Sequence, residues 1–122
     1  MQASHLFAGI AVADFEAGLR WYERVFGKPP DMLPTEGDSV WHLTSNASVY
    51  VVRDAERAGK ALLTLAVGDL KHLMAELAAR NVPDRAIQQM PGPMLRLSVT
   101  DAEGNRITFF EDPGTARRSV AD

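Results

Sequence analysis

One phrase occurs twice in this chain: a short apolar run, then Val-x-Asp, then a segment with helical patterning. The first copy is Phe7-Ala-Gly-Ile-Ala-Val12-Ala-Asp14, leading into Phe15–Phe26. The second is Leu62-Leu-Thr-Leu-Ala-Val67-Gly-Asp69, leading into Leu70–Arg80. Superposing the two aspartates pairs Phe15 with Leu70, Leu19 with Met74 and Tyr22 with Leu77, the inward positions of two amphipathic helices. A repeat constrains architecture before any local detail, because each copy must bury the same face in the same way. It predicts an α+β fold built from a duplicated strand–helix–strands unit, whose two sheets enclose a cleft.

Local signals fill in the elements. Leu6–Val12 reads as a buried strand, and Asp14 as the cap that accepts the free amides of the first helical turn. Phe15, Leu19, Tyr22 and Phe26 recur at helical spacing until Gly27 stops the helix. Lys28–Ser39 carries three prolines and predicts an irregular edge or a mobile flap. Val40–Thr44 and Ser48–Arg53 form a hairpin around Ser45-Asn46-Ala47. The polar stretch 54–60 is the linker, so module one covers about 5–53 and module two about 61–112. In the second copy Ala61–Val67 is a strand, Asp69 caps a helix, and Asn81-Val82-Pro83 ends it. A weak strand over Ala86–Met90 precedes the Pro91-Gly92-Pro93 break. Leu95–Thr100 and Arg106–Glu111 then pair around Asp101-Ala102-Glu103-Gly104-Asn105, and the tail 113–122 is expected to fray.

Composition excludes several classes of function. The 122 residues suffice for one compact body with a real core, too few for two independent domains. There is no cysteine, so disulfide and thiolate chemistry are ruled out. A formal charge of −3 without a dense Lys/Arg patch argues against nucleic acid as a partner. No segment approaches bilayer-spanning length, so no membrane partner is expected, and a cytoplasmic location follows by default.

Strand periodicity sorts side chains by face. Ala8, Ile10 and Val12 form one row, matched by Leu63, Leu65 and Val67, by Leu95, Leu97 and Val99, and by Ile107 and Phe109. These rows seat the helices. The opposite rows hold Phe7, Gly9 and Ala11; Leu62, Thr64 and Ala66; Met94, Arg96 and Ser98; Arg106, Thr108 and Phe110. That face is apolar but carries hydroxyls and two guanidinium groups, which is how small-molecule sites are built. It would equally serve to pack against the other half of the chain or a second subunit.

Trp21-Tyr22-Glu23-Arg24-Val25-Phe26-Gly27, closing the first helix, and Asp101-Ala102-Glu103-Gly104-Asn105-Arg106-Ile107, preceding the last strand, complete a pattern with the double phrase. Together they resemble the vicinal oxygen chelate superfamily of glyoxalase I, extradiol dioxygenases and bleomycin resistance proteins, over about Leu6 to Asp112. The resemblance implies paired βαβββ modules with curved mixed sheets forming a cleft, assembled as a homodimer in which strands are sometimes exchanged between chains. It also implies metal ligands at four strand positions, typically two histidines and two glutamates. Here those positions hold Phe7, Leu62, Thr108 and either Tyr50 or Val52. Phenyl and isobutyl groups have no lone pairs for a cation, so no inherited metal site is expected and no cofactor is required.

Other chemistry is sparser. Among the three histidines, His72 lies off its helix stripe, while His5, His42 and Glu111 are the residues from which a relocated site would be assembled. Arg96 and Arg106 suit a carboxylate or phenolate, or else pair with Glu103 or Glu111. Trp41, Tyr50, Phe7 and Phe110 are candidates for an aromatic wall, or for core. The expected ligand-contacting set is Phe7, Trp41, His42, Tyr50, Leu62, Thr64, Met94, Arg96, Arg106, Thr108 and Phe110, with no catalytic residue and no metal ligand. This reading is of a metal-independent binder that holds a small, partly aromatic organic molecule, as in sequestration or resistance. The alternatives are a lyase, isomerase or dioxygenase with a relocated site, and a structural or regulatory dimer whose cleft is filled by its own side chains.

Overall fold

The computed structural model describes residues 1–83, 88–89 and 95–111. In chain order the elements are β1 (Leu6–Val12), α1 (Phe15–Phe26), β2 (Met32–Thr35), β3 (Asp38–Thr44), β4 (Ala47–Arg53), β5 (Leu62–Val67), α2 (Leu70–Ala79), β6 (Gln88–Gln89), β7 (Leu95–Thr100) and β8 (Arg106–Glu111). Each repeat copy forms one βαβββ module with a four-stranded sheet, ordered β1-β4-β3-β2 in the first and β5-β8-β7-β6 in the second. The first strand of each module runs parallel to the fourth and the other pairs are antiparallel, so both sheets are mixed.

By its contacts the chain packs as two units. The first comprises Met1–Ala61 together with Asp101–Asn105, and the second holds the other described residues. The turn that joins β7 to β8 therefore belongs to the first unit.

In the first unit α1 packs on β4. Asp14 caps it through Ala17 N (3.1 Å), and Gly27 ends it at φ 77°, a left-handed conformation that glycine adopts without a Cβ clash. Its buried stripe is Phe15, Gly18, Tyr22 and Val25, one step round from the expected Leu19 and Phe26, which are half-buried. A Cβ at Gly18 would stand 3.1 Å from Val12 Cγ2, so glycine there sets how closely helix and strand approach. Against this stripe lie Ile10, Val12, Val49, Val51 and Trp41, all buried.

The proline-bearing stretch resolves into an irregular edge. β2 is exposed along its whole length, and its pairing with β3 slips between Met32 and Thr35. β3 begins at Asp38, two residues before the expected start.

In the second unit α2 packs on β7 and β8 over Leu97, Val99, Ile107 and Phe109, which are buried. Asp69 caps α2 through His72 N (2.9 Å), and Glu111 Oε1 accepts from Leu70 N at 2.7 Å. Of the expected strand Ala86–Met90, Gln88–Gln89 pairs with β7; residues 86, 87 and 90, the Pro91-Gly92-Pro93 break and the tail 113–122 lie outside the described residues.

Candidate functional site

Strand register builds the open face of the first sheet. Phe7, Gly9 and Ala11 of β1 stand beside Ser48, Tyr50 and Val52 of β4, and Val40 and His42 of β3 continue two of the rows. Gly9 and Tyr50 are partners, and the phenol lies across the glycine. A Cβ at Gly9 would come within 2.5 Å of Tyr50 Cζ and 2.6 Å of its hydroxyl oxygen. The absent side chain is thus what lets the ring lie down on β1.

A cavity of about 490 Å³ opens over this platform. Its floor is Gly9, Ala11, Tyr50 and Val52, and its wall is the turn after β4, with Asp54, Glu56, Arg57, Lys60 and Ala61. The size falls in the range usual for small-molecule sites, and an apolar floor under a polar rim is their usual chemistry. Arg57 is folded onto Asp54 through Nη1–Oδ2 at 2.8 Å. This hydrogen bond, foremost, holds the Asp54 carboxyl below the usual carboxylate range.

At the other end of the same face, Ser48 joins two histidines. Its Oγ lies 2.8 Å from His5 Nε2 and 2.7 Å from His42 Nδ1, and the residue is 2% exposed. The two imidazoles sit 6.3 Å apart, nearly perpendicular, and the His5 ring leans on Phe7 at 4.5 Å. The backbone of His42 is fixed on both sides: its amide donates to Asp31 Oδ2 (2.7 Å), and its carbonyl accepts from Lys28 Nζ (3.0 Å). The His42 amide first, then the Lys28 ammonium, keep the Asp31 carboxyl below its ordinary range.

The open face of the second sheet carries Leu62, Thr64 and Ala66 beside Arg106, Thr108 and Phe110, with Arg96 and Ser98 on β7. Ser98 and Thr108 share a hydrogen bond of 2.9 Å. Arg106 is opposite Thr100, whereas Arg96 is opposite Phe110. Four residues of strand thus separate the two arginines, roughly 13 Å along β7 at about 3.3 Å per residue. The Glu103 and Glu111 carboxylates both accept backbone amides.

The turn Asp101–Asn105 is a structural knot of the first unit. Asp101 Oδ2 accepts from Tyr22 Oη (2.8 Å) and Asn105 Nδ2 (2.9 Å), and Oδ1 accepts from the amides of Glu103 (2.9 Å) and Asn105 (3.0 Å). Asn105 also donates to Ala11 O and accepts from Ala61 N. Glu103 receives the amides of Ala13 and Asp14, where β1 gives way to α1. Burial first, then the Asp101 charge and hydrogen bond and the Glu103 charge, push the Tyr22 hydroxyl far above its ordinary pKa.

Residues 3–113 match the family described as the Glyoxalase/Bleomycin resistance protein/Dioxygenase superfamily. The chain belongs to this superfamily. A glyoxalase/bleomycin resistance protein from Catenulispora acidiphila DSM 44928 is 34% identical, with a TM-score of 0.86, covering 91% of this chain and 100% of its own. At 13% identity, lactoylglutathione lyase from Agrobacterium tumefaciens shares the fold with a TM-score of 0.73, covering 92% of this chain and 96% of its own. TioX from Micromonospora sp. ML1 shares it at 21% identity and a TM-score of 0.68, over 89% and 98% of the respective chains. Comparison with curated proteins gives no match.

The positions that the resemblance assigns to metal ligands hold Phe7, Leu62, Thr108 and Tyr50 or Val52. Phe7 is 56% exposed and Leu62 79% exposed, Thr108 is bonded to Ser98, and Tyr50 lies on Gly9 beside Val52. Among the described residues no group of three or more His, Cys, Asp or Glu is placed to hold a metal ion. His5 and His42 meet through Ser48, and Glu111 accepts from Leu70 N.

Of the residues expected to contact ligand, Tyr50 lines the cavity, while Phe7 and His42 share its sheet face. Trp41 requires correction. Its ring packs on Phe26 on the helix side, fully buried, and its Nε1 donates to Lys28 O at 3.0 Å. An odd–even step along β3 separates it from His42, so the two cannot share a face. Leu62, Thr64, Arg96, Arg106, Thr108 and Phe110 lie on the second sheet's open face, and Met94 falls outside the described residues. Sequence reasoning missed Gly9 as the cradle of Tyr50, the 54–61 turn as a wall, and Ser48 as a bridge. The parity of Ser48 with Tyr50 was the available signal.

Proposed function

We propose that this superfamily member binds a small, partly aromatic organic molecule without a metal ion, holding it rather than transforming it, on the open face of the first sheet. The observation that carries the reading is the cavity of about 490 Å³ floored by Gly9, Ala11, Tyr50 and Val52. Tyr50 offers an aromatic face for stacking, and the rim of Asp54, Glu56, Arg57 and Lys60 offers polar contacts to a substituent. The donor-poor metal positions support retention without Lewis-acid chemistry. We take the working unit to be a cytoplasmic homodimer; no described helix is long and apolar enough to cross a membrane.

The test is a thermal-shift screen of planar aromatic compounds in the presence of a chelator, alongside native mass spectrometry of freshly purified protein. A true ligand at a hundred times its Kd raises stability by about 2.7 kcal/mol. Tyr50→Ala should abolish that shift while the variant stays folded. A stoichiometric, chelator-resistant divalent ion would overturn the reading, as would a shift that survives Tyr50→Ala.

A further inference from the structure

We infer that the Tyr50 cavity holds a free aromatic α-amino acid, read as a zwitterion by Glu56 and Lys60. This rests on the reading of that cavity as the ligand site, and it names the class of molecule that belongs there. Its basis is the charge inventory of the wall: Asp54, Glu56, Arg57 and Lys60 border one space of about 490 Å³ over an apolar floor.

Two of those charged residues are occupied with each other. Arg57 Nη1 lies 2.8 Å from Asp54 Oδ2, and the Arg57 amide donates to the Asp54 carbonyl oxygen at 3.2 Å. That pair is a neutral unit within the wall. Glu56 and Lys60 differ: neither charged end makes an ion pair or a hydrogen bond among the described residues, with the other or with any third group. One carboxylate and one ammonium therefore border the same cavity with their charges unmatched. The wall as a whole sums to zero, two acids against two bases. A ligand of net charge would break that balance, whereas a ligand carrying both signs gives each unmatched group its partner.

The floor selects the rest of the molecule. Tyr50 lies across Gly9, where a Cβ would come within 2.5 Å of its Cζ. With the ring held down on β1, the phenol forms a flat apolar surface in the cavity beside Ala11 and Val52. Aromatic rings stack offset on such a surface. An aromatic α-amino acid carries the three matching features on one carbon: an aryl-methyl arm, an ammonium and a carboxylate. The arm lies on Tyr50, the ammonium donates to Glu56, and the carboxylate accepts from Lys60. Both Glu56 and Lys60 are exposed, so solvent screens each contact and each contributes a few-fold in affinity rather than many decades.

Isothermal titration calorimetry of the intact protein tests this with L-tryptophan, with tryptamine, which lacks the carboxylate, and with indole-3-propionate, which lacks the ammonium. At low ionic strength L-tryptophan should bind about two- to fivefold tighter than either analogue, the range for partly screened charge pairs. Lys60→Gln should weaken L-tryptophan by a similar factor without weakening tryptamine. Glu56→Gln should do the same without weakening indole-3-propionate. An analogue that matches L-tryptophan, equal weakening of all three probes by either variant, or no binding of any probe would each overturn the inference. If an analogue matches L-tryptophan and Tyr50→Ala still abolishes its binding, the zwitterion assignment fails while the aromatic-binder reading of the cavity stands.

Discussion

Replacing Tyr22 with phenylalanine removes a single oxygen from the centre of the first unit. The Asp101 carboxylate accepts four hydrogen bonds, and Tyr22 supplies one of the two that reach Oδ2. Tyr22 is fully buried and Asp101 is 7% exposed, so solvent has little access to replace the lost donor. A hydrogen bond to a charged group contributes about 1.5–3 kcal/mol, and Tyr22→Phe should lose that amount. For a chain of 122 residues this is a substantial share of an expected stability of roughly 6–18 kcal/mol. Asp101→Ala should cost more than about 3 kcal/mol, because it strands several donors at once, each worth about 1–3 kcal/mol when left unmade in a buried site. The assay is urea unfolding by circular dichroism across the double-mutant cycle. The double variant should be less destabilised than the sum of the single ones by about 1 kcal/mol or more. Additive effects, or a Tyr22→Phe cost below about 0.5 kcal/mol, would refute the claim that this bond anchors the 101–105 turn.

The same hydroxyl sets an alkaline limit. Tyr22 keeps its proton in the folded chain, whereas in the unfolded chain it ionises near pH 10. Its contribution is therefore complete below about pH 10 and drains as pH rises beyond it, by about 1.4 kcal/mol per pH unit. Urea melts at about pH 9 and about pH 11 should show the wild-type advantage over Tyr22→Phe shrinking; parallel losses would contradict the assignment. Gly59 has φ +85°, and a Cβ there would run into the Glu103 carbonyl oxygen. Gly59→Ala should cost about 1–3 kcal/mol and speed amide hydrogen exchange at residues 101–105, and unchanged exchange would show that the turn is held without this close approach.

Much of the fold was legible because its signals are local. The Val-x-Asp phrase marked both strand-to-helix junctions, since an aspartate at a cap acts on amides only three residues away. Strand parity likewise assigned the helix-facing and open rows of both β1 and β5. Trp41 escaped because aromatic character alone does not reveal a face; its alternation with His42 did. The edge over residues 32–35 was hard to read because proline leaves a strand short of donors without saying whether it still pairs.

The sequence by itself determined where most of the elements lie, how the helices are capped, and that the elements come in two equivalent modules. Only the tertiary structure decided that His5 meets Ser48 across 43 residues, that Tyr50 lies on Gly9, and that the turn after β4 walls a cavity. The reason is geometric. Backbone periodicity fixes which way a side chain points within its own strand, whereas strand register fixes which distant residue stands beside it.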